Sequence, residues 1–260
     1  IHRPPSQRVI LQQAVRFEST ATAFDVFARQ RAAVQSSSLG YSRPESVAYY
    51  DHTSLWVLGQ AASRTIAGVE TFSASFKPDT ALPLASTRFG KPQASYEFAG
   101  DGTLSKVIDP LNHATVYSGY VRGLPGLITY ADGTSIRAEI ENIGVIKSVT
   151  NEAAAKWMYT YDSMGRIASA TRPGYNTKFF SFTQIPAPEY GIEANHWRQT
   201  ITQGTAVTQN FFDARWRKRM TLTFDSANPG ATQRMQSFAY DAYNRTTFAS
   251  YPARSIGSIA

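Results

Sequence analysis

The stretch "YTYDSMGRI" (residues 159–167) decides how this chain folds. Its centre is an aromatic residue, an aspartate, two polar or flexible residues, a glycine and an arginine. A catalytic site would hold such a pattern once, whereas a structural unit would repeat it. The pattern occurs as Phe24-Asp25-x-x-Ala28-Arg29, Tyr161-Asp162-x-x-Gly165-Arg166, Phe212-Asp213-x-x-Trp216-Arg217 and Tyr240-Asp241-x-x-Asn244-Arg245. The Asp-to-Arg spacing is the same each time. A second recurrence runs beside it: Gly102, Gly123, Gly144 and Gly165 stand 21 residues apart (123−102, 144−123, 165−144). Repetition at about 20–50 residues marks a repeat architecture.

One unit reads as a β-hairpin. Aromatic and β-branched residues suit a pleated surface. The glycine, or asparagine, accepts positive φ and lets the chain reverse. The aspartate can accept hydrogen bonds from backbone N–H groups of the turn. The arginine lies beyond the turn, placed for a charge-assisted pair with that aspartate. An exposed pair of this kind contributes only about 0–1 kcal/mol, so its expected role is to fix register. Asp101-Gly102 and Asp132-Gly133 are further turn signals between strand-like runs. The turn glycines expected are therefore Gly102, Gly123, Gly133, Gly144 and Gly165. Trp216 stands where the unit has glycine and is a poor residue for positive φ, so its turn is expected to take another geometry.

Outward from these units, residues 1–20 read as an irregular lead-in and 21–255 as a hairpin array. "IPAPEYGIEANHW" (185–197) reads as an inserted loop and 256–260 as a truncated or continuing tail. "NEAAAKWMYTY" (151–161) carries a helix-favouring alanine run. It falls at a hairpin position of the 21-residue period, where tertiary context overrides propensity. The chain has no cysteine, which excludes disulfides and thiolate metal sites. No run approaches the 18 or more apolar residues of a spanning helix. The beginning, Ile1-His2-Arg3-Pro4-Pro5, leads us to expect part of a longer chain. Net charge is +7, from 26 basic and 19 acidic residues. The basic residues are dispersed, and nothing matches a nucleic-acid motif. The one dense cluster, Arg215, Arg217, Lys218 and Arg219, reads as a solvated strand face.

Chemistry is hard to place. His2, His52, His113 and His196 have no metal-type spacing. Asp25, Asp162, Asp213 and Asp241 read as equivalent turn residues rather than an asymmetric catalytic pair. Tyr49, Tyr50, Trp56, Trp157 and Tyr159 read as cross-strand packing before they read as a sugar-stacking platform. No catalytic residue, metal site or cofactor is expected, and the chain is read as a non-enzyme.

The segments "YTYDSMGRIASATRPG", "YEFAGDGTLSKVIDPLNHATVY", "YVRGLPGLITYADGTSIRAEIENIGVIKSVTNEAA", "YYDHTSLWVLGQ" and "FAYDAYNRTTFASYP" together resemble the Rhs/YD-repeat family of bacterial polymorphic toxins, to which toxin-complex C components and teneurins are related. The resemblance implies an all-β fold: a spiralling sheet of repeated hairpins, here a sector of a hollow β-shell. It implies a structural role, enclosing or carrying a C-terminal toxin domain for delivery to a target cell. The implied partners are the remaining repeats of a longer parent or neighbouring chains, the encapsulated toxin, and a secretion-system spike or carrier. The implied location is secreted or cell-surface. The self-cleaving aspartyl motif that closes bacterial shells is not found in this chain, so no cleavage residue is carried over. The alternative is a cell-surface recognition scaffold that binds glycan or protein.

Overall fold

The computed structural model describes residues 4–255. His2 and the tail 256–260 lie outside the described residues. The chain divides into two compact units, Ile1–Ser135 and Ile136–Ala260. The first holds β1 (Gln7–Gln12), β2 (Val15–Phe24), β3 (Gln30–Ser37), β4 (Ser42–His52), β5 (Val57–Ile66), β6 (Val69–Phe76), β7 (Pro83–Arg88), β8 (Lys91–Phe98), β9 (Leu104–Ile108), β10 (Ala114–Ser118) and β11 (Leu127–Thr129). The second opens with β12 (Ser135–Ile140). It continues through β13 (Ile146–Thr150), β14 (Lys156–Tyr161), β15 (Ile167–Thr171), β16 (Lys178–Ile185), β17 (His196–Gln203), β18 (Ala206–Phe212), β19 (Lys218–Asp225), β20 (Arg234–Tyr240) and β21 (Thr246–Ala249). One four-residue helix, Pro229–Thr232, is the only helix among the described residues.

The topology is the simplest that an array of hairpins can take. From β1 to β11 each strand pairs antiparallel with its neighbours in sequence. The same holds from β12 to β21. The fold is all-β, as expected. The alanine run at 151–161 becomes a turn followed by β14, so local helix propensity does lose to the pairing.

A single turn type recurs. Its first residue i donates its N–H to the carbonyl of i+4, and residue i+3 donates its N–H back to the carbonyl of i. This pattern closes the turns that begin at Asp25, Ser37, Ala99, Asp109, Tyr130, Glu141, Asn151, Asp162, Asp213 and Asp241. Residue i+3 is left-handed in all of them, with φ from 59° at Ala154 to 90° at Gly144. This is a three-residue hairpin loop ending in a bulge. Register shifts at Thr160/Tyr161, Phe211/Phe212 and Ala239/Tyr240 mark those bulges. In the second unit, turns start at 141, 151 and 162, alternately ten and eleven residues apart. The 21-residue period is therefore two strands and two turns. It returns the chain to the same end of the sheet.

Gly123 is the member of the glycine series that departs from this turn. It follows Arg122 in a two-residue reversal between Val121 and Leu124, with φ of 52° and 82° at the two central positions. Asp101-Gly102 and Asp132-Gly133 are the third and fourth residues of the five-residue turn.

Two expectations require correction. Trp216 adopts φ 61° and closes the same turn as the glycines, with its N–H 2.9 Å from the Asp213 carbonyl. The surrounding bonds hold the loop in place, so the left-handed residue need not be a permissive one. Residues 1–20 are not irregular throughout. From Gln7 onward they pair, β1 against β2, in unbroken register from Gln7↔Thr20 to Gln12↔Val15. Gln13 and Ala14 make the turn at φ 49° and 62°, a geometry usually signalled by Asn-Gly, and so the sequence carried no mark of it.

Gly165, at φ 77°, has nothing within 4 Å of an added Cβ. Gly165→Val should therefore cost about 1–2 kcal/mol from backbone conformation alone. Gly165→Asn should be nearly neutral, since Asn112 and Asn244 already fill the equivalent position. Chemical denaturation of the two variants tests this; equal stability of Val and Asn would contradict the left-handed assignment.

In the first unit, buried hydrophobic residues are few: Ala33 and Ala81 among the described residues. The second unit has a denser centre. Phe211, Met220, Leu222 and Met235 from β18, β19 and β20 pack with Ile192 and Phe224. Ile192 belongs to the loop between β16 and β17. That loop was expected as an insertion, and it covers one face of these strands.

Candidate functional site

The residues singled out in the sequence are the clasps of the turns. In each Asp-to-Arg unit one carboxylate oxygen accepts two backbone N–H groups, from the second and fourth residues onward. For Asp162 these come from Met164 at 2.9 Å and Arg166 at 3.0 Å. The same pairs are Phe27 and Arg29 on Asp25, Arg215 and Arg217 on Asp213, and Tyr243 and Arg245 on Asp241. The other oxygen accepts the Nε–H of the arginine, at 2.7 Å for Arg29 and Arg166, 2.8 Å for Arg217 and 2.6 Å for Arg245. Each carboxylate thus accepts three hydrogen bonds inside its own turn.

The aromatic of the unit has its own task. Tyr161 donates its hydroxyl to the carbonyl of Ile146 at 2.7 Å, and Tyr240 to that of Lys218 at 3.0 Å. Ile146 and Lys218 are the residues that leave the preceding turn at the same end of the sheet. Tyr120 does the same to Leu104. The half-buried tyrosine therefore ties one turn to the next but one. Phe24 and Phe212 supply the ring without the tie.

Arginines extend this linkage. Arg29 reaches beyond Asp25 to a bidentate pair with Asp51, at 2.8 and 2.6 Å. Asp51 also accepts the Gly59 N–H at 2.8 Å. The Arg29 guanidinium lies 4.4 Å from the Tyr49 ring centre and 4.9 Å from that of Phe27. Arg217 extends toward the Asp241 turn, 3.5 Å from the Asp241 carbonyl.

Sequence reasoning missed several members of this set. Asp109-x-x-Asn112-His113 builds the same clasp with histidine, His113 Nδ1 lying 3.0 Å from Asp109. Asn151 accepts from Ala153 and Ala155 with no cation at all. A search for aspartate followed four residues later by any hydrogen-bonding side chain would have found the first. Asp51 carried no signal, because its partner is 22 positions away in sequence.

The clasps set the acid behaviour. Arg29 first, then the Gly59 N–H, holds the Asp51 carboxyl down to about 2. At Asp162 and Asp241 the arginine backbone N–H, then its guanidinium, lowers the carboxyl below its ordinary range. At Asp25 and Asp213 burial pulls upward, and hydrogen bonds from Arg29 and Arg217 outweigh it. A carboxyl depressed in the folded state stabilises above its unfolded value, about 3.9, and loses that contribution as pH falls through the folded value. Thermal stability should therefore be flat from neutral pH to about pH 5 and fall steadily from about pH 4 to pH 2. Asp51→Asn should remove part of the fall at its acid end. A profile unchanged in that variant would show that the Arg29–Asp51 pair is not formed.

The aromatics considered as a platform are distributed. Tyr50 stacks on Phe76 at 4.8 Å, and Trp56 meets Phe27 edge-on at 6.4 Å. Trp157 and Tyr159 lie on β14, opposite Val149 of β13 and Ala170 of β15 respectively. A closer group forms where no expectation placed one. Trp197 and Trp216 stack at 5.6 Å, with Phe182 and Phe212 against them. Trp216 remains 57% exposed.

The basic cluster 215–219 also differs from expectation. Arg217 and Arg219 are not a solvated strand face, since their side chains are only 19% and 20% exposed. The loop between β16 and β17 lies over them. His196, the first residue of β17, is buried, with Nδ1 2.9 Å from the Glu193 carbonyl and Nε2 3.0 Å from the Glu189 carboxylate. Arg215 stays exposed as expected, whereas the partial cover of Arg217 and Arg219 is not revealed by the local sequence of β19.

Among the described residues no helix is long and apolar enough to cross a membrane. No family model matches the chain, and no curated protein matches it. Solved structures do. The chain is similar to the TcdB2–TccC3–Cdc42 complex, at 12% identity and a TM-score of 0.45, with 93% of this chain and 14% of that one covered. It is similar to TcdB2–TccC3–TEV at 12% identity and 0.44, with the same coverage. It is similar also to a mutant Tc holotoxin pore of Photorhabdus luminescens, at 12% identity and 0.45, covering 93% and 13%. The chain thus spans about 14% of the length of the solved chains it matches.

Proposed function

We propose that this chain is a structural wall segment of the Rhs/YD type, without catalysis of its own, that helps to enclose or carry a toxin domain. The observation that carries the reading is the recurrence of one clasped turn through the chain. A wall needs an edge that holds register over many strands. The Asp–Arg clasp supplies that in each of the four units, and the Tyr-to-carbonyl tie adds to it at Tyr161 and Tyr240. A barrier also needs a continuous backbone ladder more than a thick core. Sequential pairing with few fully buried side chains fits this requirement.

Its partners would be further repeats in a longer parent or neighbouring chains, the enclosed domain, and a secretion-system spike or carrier. The location would be secreted or on the cell surface. A recognition scaffold for glycan or protein is the second reading, favoured by the exposed Trp216 stacked on Trp197.

Native and denaturing mass spectrometry of material purified from the producing cell separates the two. A second polypeptide, held in the native state and released on denaturation, supports the enclosing wall. A lone species with nothing held inside, together with saturable binding to a glycan array, would overturn it.

A further inference from the structure

The second unit contains a cleft of about 550 Å³ between the loop that precedes β17 and the turn at Asp213. Arg215, Arg217 and Arg219 all line it, as do Glu193, His196 and Asp213. Three arginines and two acidic residues thus share its lining. Asp213 is committed to its clasp with Arg217 at 2.8 Å and lies 3.9 Å from Arg219. Arg219 Nε is a buried donor with no hydrogen-bond partner. On β17, outside the lining of the cleft, Arg198 Nε is another, although Arg198 Nη1 lies 3.4 Å from Glu189.

Buried donors are nearly always satisfied, and Arg219, which lines the cleft, keeps one donor unmatched. Arginine's planar fork matches the oxygens of phosphate and carboxylate groups. A volume of about 550 Å³ also lies in the ordinary range for small-molecule sites. We propose that this cleft binds a small oxyanion of the phosphate type, free or as the headgroup of a larger ligand. The half-buried Arg219 is its inner donor and the exposed Arg215 its outer one. His196, held by Glu189 and the Glu193 carbonyl, fixes the loop that forms the opposite wall.

The test is a titration of the whole chain with inorganic phosphate at constant ionic strength, followed by calorimetry or by amide shifts. Saturable binding is expected. Arg219→Gln should weaken it about tenfold, the loss of one charge-assisted contact. Arg215→Gln should weaken it several-fold without disturbing the fold, because Arg215 is exposed. Arg8→Gln in the first unit should leave it unchanged. Binding that never saturates, or that is equal in all three variants, would overturn the assignment. Should Arg219→Gln fail to fold, Arg215→Gln alone decides. Tighter binding of a phosphorylated sugar or nucleotide than of free phosphate would identify the headgroup of a larger ligand.

Discussion

Phe211→Ala should destabilise the second unit by about 3–5 kcal/mol, the usual cost of removing a fully buried phenylalanine. Phe211 is 0% exposed. It pairs across the ladder with Met220, also fully buried, and its ring lies 5.4 Å from that of Tyr190 and 6.1 Å from that of His196. Truncation therefore empties the space on which the loop between β16 and β17 rests. It should loosen that loop as well as the strands. Trp157, Trp197 and Trp216 lie in this unit, so urea unfolding followed by their fluorescence reads the loss directly. Phe179→Ala is the control. Phe179 is 56% exposed on β16, and its loss should change stability by no more than about 0.5 kcal/mol. Equal effects of the two substitutions would mean that the strands gain nothing from this centre.

Asp213→Ala should cost about 2–3 kcal/mol. It leaves the N–H groups of Arg215 and Arg217 without their acceptor and strips the half-buried Arg217 guanidinium of its counter-charge. Trp216, held at φ 61° by this loop, also loses the bonds that offset its strain. Asp213→Asn should cost about half as much. Asn151 shows why, since an asparagine in the equivalent place still accepts both backbone N–H groups. What asparagine gives up is the charged contact to the guanidinium. Denaturation midpoints for the two variants measure the split. If asparagine proved as costly as alanine, the clasp would act through its ion pair alone. The acid sensitivity of the protein would then have to come almost wholly from these pairs.

The legibility of the fold follows the range over which each interaction acts. The clasped turn is complete within five residues. Its aspartate, left-handed residue and arginine are all written in a short stretch, so the sequence could name four copies. Where the local signal weakens, as at Asn151 or the Gln13-Ala14 reversal, the same physics operates unseen. The turn at Trp216 shows the opposite failure. Residue type alone argued against a left-handed conformation, yet the Asp213 and Arg217 bonds impose it, and Trp197 gives the displaced ring a surface to stack on.

By itself the sequence determined that the chain is built of hairpins, where several of them reverse, and that an arginine closes the turns at Asp25, Asp162, Asp213 and Asp241. Those properties rest on backbone φ preference and on bonds between residues two to four apart, which no distant contact has to supply. Only the tertiary structure decided that Arg29 would find Asp51, that tyrosines would tie alternate turns, and that the loop before β17 would bring Ile192 onto β18 and β19 and Glu189 onto the buried His196. Those contacts join residues brought together by strand pairing, 7 to 28 positions or more apart. Burial there depends on which face the loop covers. That is a property of the folded sheet and of no single stretch of the chain.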